Sequence, residues 1–371
     1  MTDNLSIFES EYIIDGKLCE ITPGQMLREC MPYPSGAAGD NKEKGRIMDE
    51  TVDRGPTSFQ YDARRIGEYS RMTAAASSSG RNFMTGYPAA FTRQRIAAAL
   101  IDAVWREGHF KLENLRIEAL WEWNPAPIGN MAALYSSAQA ASEYIYDIGT
   151  GLSGYSYRKT DGACRVAFSV SGAVPQGDED NTGPHISGRR ICPDRLVQDK
   201  SGWLIYVPFD PCAFRLGGSL LAEASGHNGG PAPEIRDPDY FIDCYEVIRE
   251  LVEDGVIIAG ETVGDGGLLT AAHRMCRETG MQMNISGIES AYQENDPVRI
   301  LFSEIPGVLI QIADSDYDYI DAQMLLQDIA YYPLGHPSGN AEGVEVLHGG
   351  KPGVAGILEA LMQGQSSEGE D

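Results

Sequence analysis

The chain has 371 residues, 42% of them hydrophobic and 22% charged, enough for two domains with apolar cores and ordinary in composition for a soluble protein. Its 54 acidic against 29 basic residues give a net charge of -25, which argues against a nucleic-acid or anionic-membrane surface as its working face. No apolar run spans a bilayer, no signal-peptide pattern opens the chain, and the seven scattered cysteines form no CxxC pair, so they read as reduced thiols in a cytoplasmic protein.

In chain order, residues 12–14 and 17–21 flank Asp15-Gly16, a dipeptide suited to a two-residue hairpin turn, so the start reads as a strand pair. Residues 32–55 are rich in glycine and small side chains, have no apolar period, and hold Lys42, Lys44, Arg46 and Arg54. Residues 61–108 have a helical pattern broken at Pro88, after which Ile96, Leu100, Ile101 and Val104 line one face with Trp105 at its end. A strand over 116–123, a helix over 131–148 and a strand over 165–174 follow. Residues 176–188 are nearly devoid of apolar side chains and mark a linker.

Beyond the linker, a strand over 203–207 precedes Leu216-Gly217-Gly218-Ser219, a turn into a short helix. The periodicity predicts an amphipathic helix over 240–252, a strand over 307–312 (GVLIQI), a helix over 317–327 and a strand over 329–332. The result is an α/β (α+β) chain with an N-terminal domain over 1–178, a C-terminal domain over 189–335 and a tail over 336–371. His227, His273 and His336 read as surface or packing residues, and Trp121 and Trp123 as flanking a strand end.

Two stretches have both a structural and a functional reading. Residues 255–280 give an apolar strand, a turn at Asp265-Gly266-Gly267 and a helix in which Leu268, Leu269, Ala272, Met275 and Cys276 recur at helical spacing. Asp265 would cap the helix; the arrangement is either a packed strand–turn–helix or a phosphate seat at a helix N-terminus. Residues 32–55 are either a solvated surface loop or a small-residue cradle whose cations neutralise phosphate.

Several segments together resemble the aminoimidazole-ribonucleotide-synthetase-like enzymes, and among them the formylglycinamide ribonucleotide amidotransferases (phosphoribosylformylglycinamidine synthases). They are FRLGGSLLAE (214–223), DGGLLTAAHRMCRETG (265–280) and LFSEIPGVLIQI (301–312), with PYPSGAAG, GRIMDE and RG (32–55), SSSGRNF (77–83) and LWEWNPAPIGNMAALYSSAQAA (120–141) upstream. The resemblance covers roughly 20–335. It implies a two-domain aminoimidazole-ribonucleotide-synthetase-like fold whose N-terminal sheet pairs into a barrel on dimerisation, with ATP across that interface. It implies an ATP-dependent C–N ligase of purine biosynthesis that phosphorylates a formyl oxygen and displaces it with ammonia. One unit fits in this length, so a homodimer is implied. The glutaminase would be a separate ammonia-supplying subunit.

Carried over residue by residue, Gly36, Ala37, Ala38, Gly39, Gly45, Arg46 and Asp49 match the family's ATP loop, with Arg46 on phosphate. Asn82 matches a magnesium-binding Asn, and Glu261 is a candidate second ligand. Asp265, Gly266 and Gly267 would seat a substrate phosphate. Elsewhere the family pattern is lost: its metal-binding Glu is Ser78, its Asp is Thr262, its Ser is Gly264, and Thr22-Pro23-Gly24-Gln25 replaces a histidine-bearing run. No catalytic base is identified. The alternative is therefore a catalytically degenerate relative with a nucleotide-binding, structural or regulatory role.

Overall fold

The computed structural model describes residues 6–31, 60–78, 81–106, 111–172, 189–227, 230–277, 279–338 and 343–348. It begins with α1 (Ser6–Glu9), β1 (Ile13–Ile14), β2 (Lys17–Leu18) and α2 (Pro23–Glu29). Asp15 and Gly16 have φ of 51° and 77°, the left-handed pair that a tight hairpin needs, and Ile13 pairs with Leu18. α2 is set by a capping box: Thr22 Oγ1 accepts from the Gln25 amide at 3.3 Å, and Gln25 Oε1 accepts from the Thr22 amide at 2.8 Å.

The N-terminal part continues with α3 (Ile66–Ser78), α4 (Pro88–Val104), β3 (Leu115–Trp123), α5 (Asn130–Asp147), β4 (Gly151–Lys159) and β5 (Arg165–Gly172). Pro88 opens α4 at its first turn, where no amide is needed. The strands form one sheet in the order β4-β3-β5, with β4 parallel and β5 antiparallel to β3. β3 alternates strictly, and Leu115, Ile117, Ala119, Trp121 and Trp123 are buried. Each indole finds a partner on or beside α5: Trp121 Nε1 donates to Ser137 Oγ and Trp123 Nε1 to the Asn130 carbonyl, both at 2.9 Å. These tryptophans are core residues.

The C-terminal part holds β6 (Trp203–Pro208), α6 (Leu220–Ser225), α7 (Pro238–Glu253), β7 (Ile257–Val263), α8 (Gly267–Met275), β8 (Gly280–Asn284), α9 (Ser286–Tyr292), α10 (Pro297–Phe302), β9 (Gly307–Ile312), α11 (Tyr317–Leu326), β10 (Tyr332–Ser338) and β11 (Val344–Leu347). They build a six-stranded sheet in the order β11-β8-β10-β6-β9-β7. β9 lies between β6 and the edge strand β7, and every residue of it is buried, in keeping with its largely apolar run. β10 and β11 carry the sheet to Leu347, into the stretch read from sequence as a tail.

The two parts lock where α4 meets β7. A Cβ on Gly260 would stand 2.5 Å from the buried Trp105 ring, so only glycine admits the indole. Trp105 Nε1 donates to Thr262 Oγ1 at 2.8 Å, one residue further along the same face. Among the described residues no helix is long and apolar enough to cross a membrane, and all seven cysteines are free thiols.

Candidate functional site

Two glycine turns open helices of the C-terminal part. The first, Leu216-Gly217-Gly218, leads to Ser219, whose hydroxyl accepts from the Ala222 amide at 3.2 Å and caps α6. The second runs from Gly264 to Gly267 ahead of α8. Gly266 and Gly267 have φ of 83° and 71°, and a Cβ on Gly267 would meet the Leu301 carbonyl at 2.7 Å. The sequence therefore dictates glycine here twice over, by backbone conformation and by close approach.

Glu304 joins the two turns. Its Oε1 accepts from the Leu220 and Gly266 amides, each at 2.8 Å, and its Oε2 accepts from Arg81 Nη2 at 2.9 Å. Burial pushes the Glu304 carboxyl up, and Arg81 opposes that rise. Arg81, itself buried, also donates to the Gly218 carbonyl, lies 3.8 Å from Glu223 Oε2 and 4.0 Å from Asp265 Oδ1, and sits 5.2 Å from the centre of the Phe91 ring. Arg95 of α4 binds the Asp265 carboxylate. Burial raises the Asp265 carboxyl, but Arg95 and Arg81 outweigh it and leave the group below the usual carboxylate range. Asn82 Nδ2 donates to Glu223 Oε1 at 2.9 Å. The N-terminal part thus supplies Arg81, Asn82 and Arg95 to a junction whose other side is the two turns.

Two buried atoms at this junction, Arg81 Nε and Glu223 Oε2, have no hydrogen-bond partner among the described residues. One is a donor and the other an acceptor. A buried polar atom normally has a partner, so this pair is an exception among the described residues.

The residues expected from sequence fall as follows. Gly36, Ala37, Ala38, Gly39, Gly45, Arg46 and Asp49 lie outside the described residues. Asp265 does not cap α8; Gly266 takes the cap position and the Asp265 carboxylate turns to the arginines, because the charged partners outcompete neutral amides. The Gly266 amide is held by Glu304 and the Gly267 amide by the Gly264 carbonyl at 2.8 Å, so both amides of the expected phosphate seat are engaged by the protein. Asn82 and Glu261 have different partners: Asn82 has Glu223, and Glu261 lies 3.8 Å from Arg190 and 3.5 Å from Arg274. Burial raises the Glu261 carboxyl, with both arginines pulling the other way.

Magnesium is held by one or two carboxylates together with waters and phosphate oxygens. Asp265 and Glu261 each face two guanidinium groups, so a divalent cation on either would stand beside two fixed positive charges. Those two carboxylates do not fit that ion, and among the described residues no group of three His, Cys, Asp or Glu forms a metal cage.

Arg81, Arg95, Glu223 and Glu304 were not singled out in the sequence. Arg81, Glu223 and Glu304 stand inside SSSGRNF, FRLGGSLLAE and LFSE, so those motifs carried the signal. Arg95 lies 170 positions from Asp265 and has no local signal. His336 lies elsewhere: its ring centre is 4.2 Å from that of Trp203, and its Nδ1 lies 3.0 Å from the Gly202 carbonyl. It borders a half-open cavity of about 400 Å³ with Lys200, Gln282 and Asn284. That cavity is at the β8–β10 side of the sheet, away from the β7 end where the Glu304 junction lies.

Residues 214–329 match the family described as AIR synthase related protein, C-terminal domain. The chain is 24% identical over 276 residues to the probable phosphoribosylformylglycinamidine synthase, chloroplastic/mitochondrial, of Arabidopsis thaliana, covering 72% of this chain and 19% of the plant protein. It is 25% identical over 238 residues to the phosphoribosylformylglycinamidine synthase of Homo sapiens, covering 61% of this chain and 17% of the human protein. The chain thus spans about a fifth of the length of these relatives. In fold it is similar to T. maritima PurL complexed with FGAR, with a TM-score of 0.51 and 11% identity over 75% of this chain and 42% of that one.

Proposed function

For this AIR-synthase-like relative of the phosphoribosylformylglycinamidine synthases, we propose an ATP-using role of the same type: activation of a substrate amide for attack by ammonia. The observation that carries the proposal is the junction around Glu304, which this reading treats as a ligand cleft. Two glycine turns meet around Glu304, arginines reach in from the other part of the chain, and a buried donor and acceptor are left unsatisfied. In this reading residues 36–49 cover the nucleotide, with Arg46 on a phosphate, and Arg81 and Arg95 fix the wall on which the substrate lies. A second copy of the chain would complete a barrel with the β4-β3-β5 sheet, and a separate protein would supply ammonia. The purified chain should release phosphate from ATP when given formylglycinamide ribonucleotide and ammonium. Release that stays at the ATP-only rate contradicts the reading.

A second reading has its own support. Asp265 and Glu261 are tied to arginines. A chain of this kind binds a nucleotide or phosphorylated ligand without turning it over. ATP binding without substrate-stimulated phosphate release would select it.

A further inference from the structure

We infer that Asp265 and Glu261 are counter-ions of arginines and not metal ligands, so that fixed guanidinium groups take the place of a divalent cation on this wall of the cleft. The inference rests on the reading that the cleft is the ligand site.

The arrangement is the same at both carboxylates. Asp265 pairs with Arg95 and lies 4.0 Å from Arg81 Nε; Glu261 lies 3.5 Å from Arg274 and 3.8 Å from Arg190. One arginine at each carboxylate is held by other contacts. Arg81 is fixed by Glu304 and the Gly218 carbonyl, and Arg190 donates to the Gly260 carbonyl at 2.7 Å and to the Cys192 carbonyl at 3.2 Å. These guanidinium groups are built in and cannot swing away at no cost when a cation arrives. Arginine stays charged at any accessible pH, so the wall keeps its cations where a metal site would lose or gain an ion. A metal brought into the cleft on a nucleotide would then be held by phosphate oxygens and groups other than these two carboxylates.

The test uses the full chain and Mn²⁺ as the probe, followed by electron paramagnetic resonance with and without ATP. Asp265→Asn and Glu261→Gln should leave Mn²⁺ affinity within twofold of the wild type, and an absence of Mn²⁺ binding by the wild type to millimolar levels is equally expected. A tenfold or greater loss in either variant overturns the inference. Should a variant not fold, crystals of the wild type soaked in MnCl2 and ATP decide the matter: an anomalous peak in contact with Asp265 or Glu261 contradicts it, and arginines still seated on both carboxylates support it. ATP that fails to bind in the same crystals, with both carboxylates still arginine-bound, defeats the cleft reading and leaves the metal result standing.

Discussion

Glu304 does for α6 and α8 what a bound anion would do: one buried carboxylate receives an amide from each helix start, and Arg81 balances its charge. Removing one partner of a buried ion pair costs about 3–5 kcal/mol because the other is left uncompensated. Glu304→Gln keeps an acceptor for the amides but strands Arg81, so a loss of about 3 kcal/mol is expected in urea unfolding, the low end of that range. The two flanking carboxylates should respond to pH in opposite senses. Asp265 is held below its ordinary range, so its contribution to stability is present above the unfolded value of about 3.9 and is lost as pH falls through the folded value. Glu261 is raised by burial, so its contribution is present below about 4.3 and is lost as pH rises through the folded value. Glu261→Gln should therefore cost less stability at pH 7 than at pH 4, measured by urea unfolding at both. Asp265→Asn should cost more at pH 7 than in acid below the folded value.

At the scale of elements, the Gly260–Trp105 contact fixes how the N-terminal helices meet the C-terminal sheet. Gly260→Ala would drive a methyl into the indole, and overpacking of this kind costs about 1–3 kcal/mol. Unfolding of that variant should show a loss in this range, and Ala at the open, positive-φ-free Gly67 should show none, which separates packing from the generic effect of losing a glycine. The elements that periodicity reveals are those with one apolar face: α4, α5, α7, α8 and β3 stand where the pattern places them, and β9 where its largely apolar run does. β4 was not legible, because GLSGYSYRK is a polar, glycine-bearing strand at the edge of its sheet, with little of it buried. α2 hid behind a short sequence whose only clue is Thr22 three residues before Gln25. β11 is four residues long and gains its place only by pairing with β8.

For the whole molecule, an acidic chain of net charge -25 gathers arginines from α4, from the segment before it and from 189–195 at the junction of its two parts. The glycine turns of this junction were legible as local motifs. The charge network was not, since Arg81–Glu304 and Arg95–Asp265 join residues 223 and 170 positions apart, and only the fold brings them together. That distribution makes this junction the place among the described residues where buried arginine from one part meets helix-opening turns from the other. The claim is tested most directly by isothermal titration of formylglycinamide ribonucleotide into the wild-type chain and into Arg95→Ala. Saturable binding by the wild type, weakened tenfold or more in a variant that still folds, is the result expected. No binding at millimolar formylglycinamide ribonucleotide, or equal affinity in the two proteins, contradicts the assignment of the junction as a ligand site.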